Sequence, residues 1–189
     1  MARRRPRSGP CLMGTSPGDL GILAEWYLLA CVDALDTIPV FGPGLGGCPA
    51  RRFVTHGRPV LDCCDQLTVN VDNVIESPTG RVPGATSKST KTGWTNLVTL
   101  VATISRCIPV SDAHGNPPPV AEMEAAATQL NADNWALWNH IHNLVSAGLL
   151  FEQCGEVYFD GIRALQPSGG CAGWVFQVRV SQDGYPEEL

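Results

Sequence analysis

The chain has 189 residues, 44% of them apolar and only 16% charged, with a formal net charge of −5. That length suits one domain with a sizeable core and leaves a second full domain cramped. The acidic balance excludes a folded body that grips nucleic acid through a basic face. A charged fraction below the roughly 25% of ordinary soluble domains fits either a subunit that buries exterior against neighbours or loops in which Gly, Pro, Ser and Thr replace charge.

Residues 1–15 read as a basic, flexible arm, rich in Pro and Gly and without periodicity, carrying Arg3, Arg4, Arg5 and Arg7. The arginines look like the start of a signal peptide, but Gly18, Asp19 and Glu25 interrupt the apolar run that should follow. The stretch 20–41 is the nearest approach to a membrane span, and Glu25, Asp33, Asp36 and Pro39 break it well short of the roughly 18–20 apolar residues a bilayer needs. Synthesis inside the cell and no membrane partner are therefore expected.

Ser16 offers an N-cap, Pro17 fits the first helical position and Asp19 suits the first turn. A helix follows to about Thr37, its stripe formed by Ile22, Leu23, Trp26, Tyr27, Ala30, Cys31, Ala34 and Leu35, and Ile38-Pro39 ends it. Residues 41–50 form a Gly/Pro-rich loop. A short strand at 51–56 meets a turn at Gly57-Arg58-Pro59, which predicts a hairpin into a second strand at 66–75. In that strand Leu67, Val69 and Val71 share one face, and Gln66, Thr68 and Asn70 the other. Residues 77–93 form a second long loop; loops of such length are usually functional or disordered. A long strand over 94–108 sets Val98, Leu100, Ala102 and Ile104 against Leu97, Thr99, Val101 and Thr103.

After a Pro-rich loop at 110–118, helical periodicity resumes at Pro119 and runs to about Phe151. Asn131-Ala132-Asp133 reads as a kink or a break, so this is one long helix or a helix pair. Strands at 157–165 and 173–181 make an antiparallel hairpin across Pro167-Ser168-Gly169-Gly170. Residues 183–189 are a loose acidic tail. The pattern is an α+β fold: a mainly antiparallel sheet flanked by an N-terminal helix and a long central helix or helix pair, closed by a C-terminal hairpin, in a single domain over 16–182.

Residues that carry chemistry are sparse. The eight cysteines contain no CxxC pair, which argues against a zinc ribbon or a thioredoxin-type site. Most read as buried thiols acting as small apolar groups, Cys31 among them. Cys48 with Cys63 or Cys64 is the candidate disulfide, on the premise that the hairpin brings them together. His56 with the same three cysteines holds the residue types of a zinc site, but the spacing matches no known pattern. His140 and His142 lie two apart on a helix and point about 200° from each other, so they cannot share an ion. Ser111-Asp112-Ala113-His114 holds the residue types of a triad on a loop that is a poor platform. The glycines of 41–47 include Pro43 and precede no helix, which defeats a phosphate loop. No enzymatic activity, metal or cofactor is expected.

Of the five tryptophans, Trp26, Trp94, Trp135, Trp138 and Trp174, most are expected in the core. Trp94 borders the long polar loop and, with Lys88 and Lys91, is the candidate interface. Arg3, Arg4, Arg5 and Arg7 can contact a phosphate backbone or an acidic neighbour, or merely aid solubility.

One segment is more distinctive than these. Cys63-Cys64-Asp65-Gln66-Leu67 leads into the alternating strand, and with the helix Leu20–Leu35, the helical Trp135–Phe151 stretch and the hairpin Val157–Val180 it resembles the tail terminators, or closely related neck subunits, of actinobacteriophages with long non-contractile tails. The resemblance covers about 16–182, in element order more than in identities; the loops at 41–50 and 77–93 fall outside it. It implies a virion protein, assembled in the host cytoplasm, that forms a ring, commonly a hexamer, on the head-proximal end of the tail tube. Its implied partners are its own copies, the major tail tube protein and the head connector or stopper, with genomic DNA passing through the lumen without specific binding. A head–tail stopper or other neck subunit is the nearest alternative, and a small thiol- or zinc-dependent enzyme the alternative from another class.

Overall fold

The computed structural model describes residues 17–37, 47–57, 59, 65–77, 95–151 and 156–183. They form an α+β fold of two helices, α1 (Pro17–Asp36) and α2 (Val120–Ser146), and five strands: β1 (Arg51–His56), β2 (Gln66–Ser77), β3 (Thr95–Cys107), β4 (Val157–Ser168) and β5 (Cys171–Asp183). The strands make one sheet in the order β1-β2-β3-β5-β4. Among the described residues no helix is long and apolar enough to cross a membrane.

Alternation in the three long strands builds the core. Leu67 and Val69 of β2 lie beside Ile104 and Ala102 of β3, which lie beside Trp174 and Phe176 of β5. Both helices pack on this face, α1 through Leu23, Ala24, Tyr27, Cys31, Ala34 and Leu35, α2 through Leu137 and Ile141. Each large side chain buried here contributes about 1.5–3 kcal/mol relative to exposure. The Tyr27 hydroxyl sits inside with no hydrogen-bond partner among the described residues. Burial raises its pKa well above the usual tyrosine value, and Cys31 adds to the rise.

The opposite face is polar and also closed to solvent. Gln66, Thr68 and Asn70 of β2 pair across the ladder with Ser105, Thr103 and Val101 of β3, and all six are buried. Both helices pack with the other face. Alternation predicts two chemically different faces, and it does not say that both are covered.

Two expectations need correction. β1 and β2 run parallel, with Arg51 beside Gln66 and His56 beside Val71, so they are not a hairpin. Gly57 has a φ of +80°, which suits a bend, but a bend is not a tight reversal. The residues from 57 to 65, extended, reach about 30 Å. That exceeds the roughly 20 Å length of a six-residue strand, so the chain can return and start again in the same direction. Second, α2 is the single long helix of the two alternatives, 27 residues through Asn131-Ala132-Asp133, but its C-terminal bound differs from the expected one. It stops at Ser146, short of Phe151. Gly148 has a φ of +65°, its N–H donates to the Val145 carbonyl at 3.0 Å, and the Leu149 N–H donates to the Leu144 carbonyl at 2.8 Å. Those two bonds are a Schellman closure, for which a glycine at this place is the ordinary solution. The apolar Leu149 and Phe151 extended the apparent stripe past that stop.

The C-terminal hairpin is as expected and longer. Gly169 and Gly170 make a two-residue turn with φ of +58° and +79°. Positive φ at both positions matches the right-handed twist of the flanking strands.

β3 and β5 approach closely at Gly173. A Cβ there would lie 1.9 Å from the Ile104 carbonyl oxygen, a backbone atom that cannot swing away. Gly173→Ala is expected to destabilise the protein by about 3 kcal/mol or more, read as a fall in the urea midpoint, whereas Gly21→Ala, inside α1 with nothing within 4 Å, should raise it slightly because alanine is the better helix former.

Candidate functional site

One buried charge cluster fixes how α2 sits. Arg106, near the end of β3, reaches across to α2: its Nε donates to Asp133 Oδ2 at 2.8 Å and its Nη2 to Asp133 Oδ1 at 2.9 Å. Nη2 also donates to the Gly47 carbonyl at 2.7 Å, ahead of β1, and Nη1 to Asp65 Oδ2 at 3.4 Å, ahead of β2. Gln129 Nε2 donates to Asp133 Oδ1 at 2.8 Å. A second tie, Trp174 Nε1 to the Leu130 carbonyl at 2.8 Å, fastens the same turn of α2 to β5.

Asp133 is fully buried and Arg106 nearly so. Burial raises the Asp133 carboxyl above its ordinary value, and the hydrogen bonds and charge of Arg106, with the Gln129 amide, partly offset that. Burial works to lower the Arg106 value, and the bonds and charges of Asp133 and Asp65 outweigh it and hold it above the ordinary arginine value. A guanidinium bound at Nε, Nη1 and Nη2 is engaged as a bidentate clamp, not poised to grip an anion. The cluster is a latch.

The latch presents an aromatic column on the outside of α2. Residues two apart on a helix point about 200° from each other. Asp133 turned inward therefore turns Trp135 outward, and Trp135 is 64% exposed. Its ring stacks on Trp138 at a centroid distance of 5.3 Å and an interplanar angle of 26°. Trp138 stacks in turn on His142 at 5.3 Å and 25°. This corrects the expectation that Trp135 is core. The sequence held the signal: Trp135 cannot share a face with Leu137, by the same geometry that separates His140 from His142.

The other candidates are placed as follows. Cys48 is a free thiol, so the disulfide expected at Cys48 is not formed there. Its premise, a hairpin, fails because β1 and β2 are parallel. Cys48 Sγ accepts instead from Arg52 Nη1 at 3.8 Å. Burial pushes its thiol up, with the Arg52 hydrogen bond opposing. Cys31 is a buried free thiol, as read, and burial raises it far more. Neither resembles a nucleophile, which needs a lowered pKa. Cys171, which no sequence pattern singled out, is disulfide-bonded. Asp112 does not orient His114. Its Oδ1 accepts the backbone N–H groups of His114 and Asn116 at 2.8 and 2.9 Å, and its Oδ2 accepts Asn116 Nδ2 at 2.8 Å. Those bonds lower its pKa, the Asn116 side chain foremost, and they use the carboxylate to shape its own exposed loop. Among the described residues no group of three or more His, Cys, Asp or Glu is placed to hold a metal ion. Cys63, Cys64, Lys88, Lys91, Trp94, Arg3, Arg4, Arg5 and Arg7 lie outside the described residues.

Comparison with protein-family models finds no match for the chain, and no curated protein matches it.

Two outcomes are expected. Asp133→Ala should cost about 3–5 kcal/mol in chemical denaturation by leaving Arg106 charged and uncompensated, while the joint change of Arg106→Met and Asp133→Leu should cost far less or nothing. Cys48 should react with iodoacetamide at neutral pH more slowly than free cysteine, measured by peptide mapping, because its thiolate is disfavoured.

Proposed function

We propose that this chain is a structural virion subunit, the tail terminator of a phage with a long non-contractile tail. In this reading it closes into a ring, of six copies, on the head-proximal end of the tail tube. It halts tube growth there and offers a surface to the head connector.

The observation that supports the reading is a pair of unlike sheet edges. β1 pairs with β2 only from Gln66 to Val71, while β2 continues to Ser77. Among the described residues the outer side of 72–77 is therefore unpaired, and it carries the exposed Val74 and Ile75. At the other end of the sheet β4 is the edge strand along its 12 residues. An open edge is a template for pairing with another chain. Two different edges on one body permit head-to-tail contacts, which close into a ring when the rotation between copies allows it. Edges of this kind also suit capping: strand addition at a tube end would occupy the backbone groups that the next ring of tube subunits needs. The resemblance carried by Cys63-Cys64-Asp65-Gln66-Leu67, whose last two residues open β2, points the same way.

The test is the native mass of the purified protein, alone and with the major tail protein. A ring, or a monomer that becomes one on tube ends and arrests their growth, is the expected result. A monomer that ignores tubes and binds the head connector would move the chain to another position in the neck. A monomer indifferent to both would overturn the assembly reading. Ile75→Lys should weaken ring closure at least tenfold, about 1.4 kcal/mol per contact, seen as a shift toward monomer in native mass spectrometry with an unchanged circular dichroism spectrum.

A further inference from the structure

The aromatic column on α2 stands in a layer with an unusual charge. Neither helix contains a single Lys or Arg. On α1, Glu25, Asp33 and Asp36 are exposed around Leu29, itself 60% exposed. On α2, Glu122 and Glu124 are exposed, and Glu124 lies on the same line of the helix as Trp135, Trp138 and His142, about three turns before Trp135. The outer surface of the helical layer is thus acidic, with a stacked pair of tryptophans on it. Exposed indole faces attract cations, and Arg more often than Lys, because the ring quadrupole is negative above its plane and the guanidinium stacks flat on it.

The chain carries a complement to this surface. Residues 1–15 hold Arg3, Arg4, Arg5 and Arg7 and no Asp or Glu. We propose that the Trp135–Trp138 face of α2 is the docking surface for the chain's own arm, its arginines lying over the open face of Trp135 and along the edge of Trp138, against the acidic residues of the helical layer.

Reach and concentration favour the chain's own arm over any other occupant. Fifteen residues extend up to about 50 Å, longer than the roughly 40 Å that a folded domain of this size measures across. A segment tethered at Pro17, where α1 begins, meets this face at an effective concentration in the millimolar range. A contact built from a few exposed charges and ring faces is individually weak. It is filled when tethered and largely empty when supplied from another molecule at ordinary concentration. The assignment does not depend on the ring.

The experiment uses the full chain labelled with 5-fluorotryptophan, each of its five fluorine signals assigned by single Trp→Phe changes. Changing Arg3, Arg4, Arg5 and Arg7 together to Ala removes the arm's positive charge and alters none of the described residues. It should shift the Trp135 and Trp138 signals and leave Trp26 and Trp174 where they are, Trp174 being held by its bond to Leu130. In the unaltered protein the same two signals should move toward the variant's positions as salt shortens the Debye length from about 10 Å to about 3 Å, with no dependence on protein concentration. Signals of Trp135 and Trp138 that ignore the arginines would overturn the proposal. So would equal shifts at all the tryptophans, which would report a change of fold. A shift that grows with protein concentration would assign the face to a second copy and overturn the tethered contact. The ring reading stands or falls separately, on native mass.

Discussion

The bidentate contact between Arg106 and Asp133 is the constraint on which the layering depends. It is expensive by itself: two charges leave water, and their attraction roughly offsets that cost only because the remaining donors and acceptors are also engaged. Here they are, through Gly47, Asp65 and Gln129. The return is positional. One side chain at the end of β3 ties the approaches to β1 and β2 to the middle of α2, places that an apolar contact would hold less uniquely.

From that constraint the rest follows in order. With Asp133 facing the sheet, the rotation of α2 about its axis is set, Leu137 and Ile141 enter the core and Trp135 faces out. Trp174 on β5 fixes the same turn from the other side. The sheet beneath is left with one short edge strand and one long one. A body held this way has two unlike sheet edges, the short β1 and the long β4. Among the described residues, Asp112 is spent on its own loop, and burial raises the Cys31 and Cys48 thiols, which disfavours their thiolates.

Much of the fold was legible in the residues. Strand alternation at Leu67, Val69 and Val71, and at Val98 through Ile104, separated the two faces of each strand, because a period of two is a property of the extended backbone itself. The Gly169-Gly170 turn announced its hairpin because few residues other than glycine accept positive φ twice in succession. The candidate site was less legible. Asp133 looked like a helix interruption since an aspartate inside a helix is locally unfavourable, and its partner stands 27 residues away in β3. Trp135 was counted with the core because its neighbours are apolar, although its angular position on the helix contradicts that.

The sequence by itself determined what local physics can determine: which segments extend, which coil, and how the faces of each divide. Only the tertiary structure decided the direction of β1 relative to β2, the continuity of α2, the burial of the polar sheet face and the outward aspect of Trp135. Each of those depends on contacts between residues far apart in the chain. A turn signal such as Gly57-Arg58-Pro59 bends the backbone equally well into a hairpin or a parallel return. The choice between them belongs to the partners the strand finds.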